Sequence, residues 1–150
     1  MALYFDDLEV GTVERFGRYE VTREEVLDFA GRYDPQPFHL SDEAAANSIF
    51  GRVAASGWHT AAMTMRMMVD HWKDTGLDEA SLGGIGMDEL RWLKPVYPGD
   101  ILSIEAELLE KTPSRSKPDR GVIRVRWATL NQHGEPVMTQ ISIGMMRRRP

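Results

Sequence analysis

The order of periodic segments predicts an α+β fold in which an antiparallel sheet wraps around one long helix. Three observations carry this reading. Helix signals fill the first half of the chain and period-two segments the second, and helices followed by consecutive strands give α+β rather than alternating α/β architecture. The third helical segment has no charge on any face through its first half, from Gly57 to Met65, and a helix apolar all round is buried. Turn-forming residues separate the later segments at short intervals.

Taken in order, Thr22-Arg23-Glu24-Glu25 has capping-box spacing ahead of apolar Val26, Leu27, Phe29 and Ala30, which marks a helix start. That helix ends near Tyr33, because Pro35 and Pro37 push the residues before them out of the α region. Asp34 to His39 is therefore a stiff, extended loop. Ser41-Asp42-Glu43 begins a short helix through about Asn47, closed by Phe50-Gly51. The long helix runs from about Ser56 to Trp72. After it, Gly83-Gly84-Ile85-Gly86 reads as a loop entering the first of four strands. Leu102, Ile104, Ala106 and Leu108 then alternate with polar residues, as do Ile123, Val125 and Trp127, and Val137 to Met145 forms the last strand. Trp127 and the cluster Met63, Met65, Met67 and Met68 are expected in the core.

At 150 residues the chain has the length of a single domain. Its 42% hydrophobic and 27% charged residues are those of an ordinary globular protein. A formal charge of −5 offers no broad positive field to nucleic-acid phosphates. The one basic run, Arg147-Arg148-Arg149, reads as a solvated tail. There is no cysteine, so disulfides, thiolate metal sites and a cysteine nucleophile are excluded. Acidic residues stand where a signal peptide carries basic ones, and the apolar run from Val53 to Met65 falls short of the ~18 residues of a membrane span. A cytoplasmic protein without a membrane partner is expected.

Four histidines are present. His133 lies in a hairpin turn, His71 sits late on the long helix where it complements the dipole, and His59 is expected as a hydrogen-bonded core residue. His39 differs, because Asp34-Pro35-Gln36-Pro37-Phe38-His39 joins a carboxylate and an imidazole across a proline-stiffened loop, where both can face one cavity. No HExxH-type spacing supports a zinc site. There is no phosphate-cradling glycine motif, and Ser56 lacks the G-x-S-x-G elbow of a serine nucleophile.

A succession of segments adds a family. Asp28-Phe29-Ala30, Asp34-Pro35-Gln36-Pro37-Phe38-His39, Phe50-Gly51, Ala54-Ala55-Ser56-Gly57-Trp58 and Pro95-Val96-Tyr97-Pro98-Gly99-Asp100 follow one another in the order seen in the MaoC-like dehydratases, a family that includes the (R)-specific enoyl-CoA hydratases. The chain resembles that family from about Phe5 to Met146. Two departures stand out: Tyr33 replaces the usual glycine before the motif aspartate, and Ala62 replaces a serine found in many hydratases.

The resemblance implies a hot-dog fold and a reversible hydration of trans-2-enoyl thioesters to (R)-3-hydroxyacyl thioesters. It implies Asp34 and His39 as the acid–base pair, with their separate roles left open, and the Gly57 amide as donor to the thioester carbonyl. Glycine at this position would let the carbonyl approach closely. Ser56 and Trp58 flank that amide as substrate-binding candidates, with the Trp58 ring expected to fill the acyl tunnel and favour compact acyl groups. Arg91, Lys94, Arg115 and Lys117 are candidates for the phosphates of CoA or of a carrier-protein arm. No cofactor is implied beyond the CoA or carrier thioester of the substrate. The family's pairing of sheets edge to edge implies a homodimer or larger homo-oligomer. Two alternatives remain, a hot-dog thioesterase and a non-catalytic acyl-thioester-binding subunit. The first needs a carboxylate on or beside the long helix, and no acidic residue lies between Glu43 and Asp70. Retention of both Asp34 and His39 counts against the second.

Overall fold

The long helix and the sheet it packs on are set by complementary patterns of burial in a computed structural model that describes residues 1–150. The elements are β1 (Val13–Glu20), α1 (Arg23–Tyr33), α2 (Asp42–Ala45), α3 (Gly57–Thr75), β2 (Ser81–Trp92), β3 (Ile101–Pro113), β4 (Arg120–Leu130) and β5 (Pro136–Arg147), with 3-10 turns at Phe5–Asp7, Pro37–His39 and Asp78–Ala80. The five strands form one antiparallel sheet in the order β1-β3-β4-β5-β2. Leu102, Ile104, Ala106 and Leu108 of β3 all face inward, as their alternation predicts. They meet Met63, Met67 and Met68 of α3 and Val125 and Trp127 of β4 in a core cluster of 16 buried residues.

Local chemistry explains the helix ends. Thr22 caps α1 by accepting from the Glu25 amide at 3.2 Å. The capping box is only half made, since the Glu25 carboxylate accepts instead from the Tyr19 hydroxyl at 2.7 Å. The helix stops at Tyr33, and Asp34 leaves the helical region at φ −150° and ψ 66°, as the following proline demands. The loop beyond it is not extended throughout, since Pro37–His39 closes a 3-10 turn. Ser41 caps α2 through the Ala44 amide at 3.1 Å.

Three expectations about the framework are corrected. Strand β1 has no period-two signal, because Val-Glu-Arg-Phe-Gly-Arg-Tyr-Glu carries charge in both alternating registers. It is held by pairing with β3, including an Arg15–Glu105 ion pair at 2.8 Å, and it bulges at Gly17, whose φ is 86° and where a Cβ would lie 2.8 Å from Met67 Sδ. Gly83 to Gly86 lies inside β2 and is not a loop, because irregular pairing with β5 accommodates glycine there. The sheet covers only one side of α3. His59, Thr60, Met63, Thr64, Met67 and Met68 are buried, whereas Trp58 and Met65 are 59% and 43% exposed, so Met65 is not core. No helix is long and apolar enough to cross a membrane.

Two terminal features also differ from expectation. His71 bonds the Glu14 carboxylate at 3.0 Å and stacks on Phe16, so it ties α3 to β1 beyond any dipole effect. The C-terminal arginines form a clasp and not a free tail. Arg148 donates to Asp6 at 2.7 and 3.1 Å, the Arg149 amide donates to Asp6 at 2.8 Å, and the Arg149 side chain pairs with Asp7.

The Arg148 hydrogen bond, joined by the Arg149 amide, pulls the Asp6 carboxyl down to about 2. A carboxylate whose folded pKa lies below its unfolded value of 3.8 stabilises above that value and ceases to do so as pH falls through the folded one. Melting temperatures of wild type and Asp6→Asn are therefore expected to differ near neutral pH and to converge as pH falls toward about 2. A gap of constant size across that range would show that the clasp does not depend on the Asp6 charge.

Candidate active site

Two prolines and one glutamine set the geometry of the acid–base pair. Asp34 caps the C-terminus of α1, and His39 ends the 3-10 turn that begins at Pro37. The Gln36 side-chain amide donates to Asp34 Oδ1 at 2.6 Å, which leaves Oδ2 facing His39 Nε2 at 3.4 Å. His39 is 5% exposed and packs against the rings of Phe38 and Phe50, which also touch each other. Its Nδ1 lies 2.6 Å from the Ala54 carbonyl. A carbonyl only accepts, so Nδ1 carries a proton and Nε2 is turned toward Asp34.

Asp34 is largely buried, and burial alone would raise its pKa. Hydrogen bonding from Gln36, the Ser56 hydroxyl and the nearby imidazole outweigh this and lower it. Ser56, the N-cap of α3, is fully buried, and its Oγ makes no formal hydrogen bond. Its influence on Asp34 is thus that of a nearby dipole more than of a made bond. With Oδ2 and Nε2 separated by 3.4 Å, a third polar atom at about 2.8 Å from each fits to one side of the line joining them. The arrangement can hold one water and exchange protons with it.

Beside this pair begins α3. Gly57 is its first residue, so its N–H has no partner within the helix. Glycine is required here, but not for an open approach. A Cβ would lie 2.5 Å from Trp92 Cε2, and the Trp92 indole N–H donates to the Gly57 carbonyl at 2.8 Å. The indole fills the space expected to admit a thioester from that side. Trp58 lies on the surface of the chain, edge-on to Trp92 at 5.0 Å, and its ring does not occupy a tunnel within the subunit. Trp92 carries no local signal in the sequence, because only its pairing register with β5 brings it over the helix end.

The four basic candidates do not converge. Trp92, Met138 and Thr129 mark one end of the sheet, and Ser81, Met146 and Gly121 the other. At ~3.3 Å per residue the two ends are roughly 26 Å apart along β4. Gly57 packs under Trp92, and the Ala55 amide bonds Val96 at 2.7 Å, so the Asp34–His39 pair lies at the first end. Arg91 and Lys94 share that end, with Lys94 paired to Glu135. Arg115 and Lys117, exposed between β3 and β4, belong to the far end and cannot join them on one phosphate within a subunit.

His59 is also corrected. It is 5% exposed and stacked on Phe29, yet its Nδ1 has no hydrogen-bond partner. Its Nε2 lies 3.9 Å from the Glu25 carboxylate, so a carboxylate does stand beside the long helix, supplied by α1. Burial pushes the His59 pKa down, with Glu25 opposing.

The MaoC like domain family matches residues 9–129. A MaoC-like dehydratase from Rhodospirillum rubrum has a crystal structure that superposes with a TM-score of 0.89 at 44% identity, covering 99% of each chain. The 3-hydroxybutyryl-CoA dehydratase of Methylorubrum extorquens is 33% identical over 77% of this chain and 69% of its own length. The (R)-hydratase PhaJ1 of Pseudomonas aeruginosa, in unliganded form, is 26% identical with a TM-score of 0.71, covering 99% of this chain and 88% of that one. With its α3 laid across a five-stranded antiparallel sheet, the chain has the hot-dog fold and belongs to the MaoC-like family of hydratases and dehydratases.

Proposed function

We propose that the protein interconverts trans-2-enoyl thioesters and (R)-3-hydroxyacyl thioesters, with CoA or a carrier arm bearing the acyl group. The observation that carries this is the Asp34–His39 pair, two proton-exchanging atoms 3.4 Å apart with each ring or carboxylate oriented from behind by Ala54 or Gln36. Similarity to the Methylorubrum dehydratase and the Pseudomonas (R)-hydratase supports the reaction class and the stereochemistry.

In this reading one water bridges Asp34 Oδ2 and His39 Nε2. Asp34, whose pKa is lowered, is ionised at neutral pH and takes a proton as the water oxygen bonds to the β-carbon. With Nδ1–H given to Ala54, His39 enters this step as the imidazolium, protonated at both ring nitrogens. Its Nε2 proton passes to the α-carbon, and the proton taken by Asp34 then moves to Nε2, which restores the starting pair. Atoms balance: one water O–H breaks, and one C–O and one C–H bond form across the double bond. Negative charge gathers on the thioester oxygen during the addition. The unpaired Gly57 N–H at the positive end of α3 stabilises it by hydrogen bond and by dipole.

A homodimer completes the unit. Strand β2 is a sheet edge that exposes Ile85 and Met87 at 56% and 50%, and the uncovered side of α3 presents Trp58 and Met65. Unpaired edges of this kind are ordinarily covered or paired. Glu25 beside His59 supplies the carboxylate that a thioesterase reading requires, so thiol release is the competing activity.

Loss of a positioned acid or base costs about 10²- to 10⁴-fold. Asp34→Asn and His39→Ala are each expected to lower hydration by that factor, followed as loss of enoyl-thioester absorbance in variants shown to be folded by circular dichroism. His39→Ala should also lower the melting temperature, because it empties a buried ring site and leaves the Ala54 carbonyl without its donor. The double variant should be little worse than the worse single, since both act on one water. Near-wild-type hydration in a folded single variant removes that residue from the mechanism, and wild-type thiol release exceeding hydration favours the thioesterase. Light scattering at micromolar concentration is expected to give a dimer or larger assembly, and a fully active monomer would contradict the pairing of β2 edges.

A further inference from the structure

Helix α3 begins without a side-chain cap. Ser56 stands at its N-cap, but the hydroxyl bonds none of the first amides, although serine ordinarily supplies such a bond. The N–H groups of Gly57 and Trp58 are left without acceptors in the chain. The Ser56 carbonyl accepts from the amides of His59 at 2.9 Å and Thr60 at 3.1 Å, so the peptide that carries the Gly57 N–H is fixed within the helix. What the turn cannot fix by itself is its placement beside Asp34 and His39, which belong to a different segment, the loop after α1.

One side-chain hydrogen bond from outside the helix reaches residues 57–60, and it comes from Trp92, whose Nε1 donates to the Gly57 carbonyl at 2.8 Å. The indole also lies against the Gly57 Cα, so closely that a Cβ there would stand 2.5, 2.7 and 2.8 Å from three ring atoms. Only glycine permits that approach. Trp92 is in turn held by the sheet. It closes β2, pairs with Met138 of β5, and is followed by Leu93, whose amide donates to the Val137 carbonyl at 2.8 Å. Trp58 packs edge-on against the indole at 5.0 Å. The ring thus holds Gly57 by its Cα and its carbonyl and leaves the N–H unbonded.

We propose that Trp92 is a positioning residue for hydration: by tying the first turn of α3 to the end of β2, it holds the Gly57 amide where the thioester oxygen lies while the β-carbon meets Asp34 and His39. The inference rests on the hydration reading above and adds a residue to it. Such placement acts on the barrier more than on binding, because the charge that the amide stabilises gathers only during the addition. A displacement on the order of 1 Å is enough to slow a reaction about 10²-fold.

Trp92→Phe removes the indole N–H and keeps an aromatic ring. In a variant shown to be folded by circular dichroism, kcat for crotonyl-CoA hydration is expected to fall at least about tenfold. The Kd of butyryl-CoA, which has no double bond to hydrate, should keep its wild-type value. A kcat within about twofold of wild type, or a loss shared equally by butyryl-CoA affinity, overturns the assignment. If the variant does not fold, amide NMR of the wild type decides. Butyryl-CoA should then shift the Gly57 amide proton and the Trp92 indole proton together, since both bonds meet on one residue, and a shift of the first alone overturns the assignment. Crotonyl-CoA and the wild type separate the two levels. If the wild type does not hydrate it, the hydration reading fails, and the same two resonances still decide whether Trp92 holds the amide against a bound thioester.

Discussion

The segment Val53–Ser56 crosses the interior with exposures of 1%, 0%, 7% and 0%, so its peptide groups must find partners inside the protein. Each partner comes from a different part of the chain. The Val53 amide donates to the Asp42 carboxylate at 3.0 Å, the Ala54 amide to the Phe38 carbonyl at 3.4 Å, and the Ala55 amide to the Val96 carbonyl at 2.7 Å. The Ala54 carbonyl accepts from His39 Nδ1. That last bond fixes which imidazole nitrogen faces Asp34, and the segment leads directly into Gly57 at the start of α3. One buried stretch of backbone therefore sets the orientation of the imidazole, the spacing of the acid–base pair and the position of the helix amide.

The same constraint explains why the motif residues outside the pair are where they are. The Val53 bond is the main cause of the lowered Asp42 pKa, and Asp42 belongs to the first turn of α2. Asp100 accepts from the Tyr97 amide at 2.9 Å, and the Tyr97 hydroxyl donates to the Phe50 carbonyl at 2.7 Å. These bonds hold the Val96 loop against the turn that follows α2. Asp42, Tyr97 and Asp100 act through the backbone they hold, and each fixes a part of the frame that borders the pair. Substitutions there would loosen the pair without altering its chemistry.

Local signals were legible in the sequence, and long-range ones were not. The Thr22 and Ser41 caps, the stop at Tyr33 before Pro35, the alternation of β3 and the Asp34–His39 loop each depend on residues a few positions apart. Strand β1 is specified by what it pairs with, since its own pattern is charged on both faces. Trp92 reaches Gly57 only through the register of β2 against β5, and Glu25 reaches His59 only because α1 crosses α3. The apolar character of α3 on every side predicts burial by its own sheet; the exposed Trp58 and Met65 show that the sheet covers only one side of it. The arginine clasp joins residues at opposite ends of the chain, which no local pattern announces.

The central claim is that a single water, held between Asp34 Oδ2 and His39 Nε2, adds to one face of the double bond. Hydration of crotonyl-CoA in deuterium oxide, with the product's relative configuration at the α- and β-carbons read by proton NMR, measures this directly. The account predicts one deuterium at the α-carbon, placed on the same face as the new hydroxyl, in the (R)-3-hydroxyacyl product. Deuterium on the opposite face, or scrambled between the two, would contradict delivery of both groups from one pair.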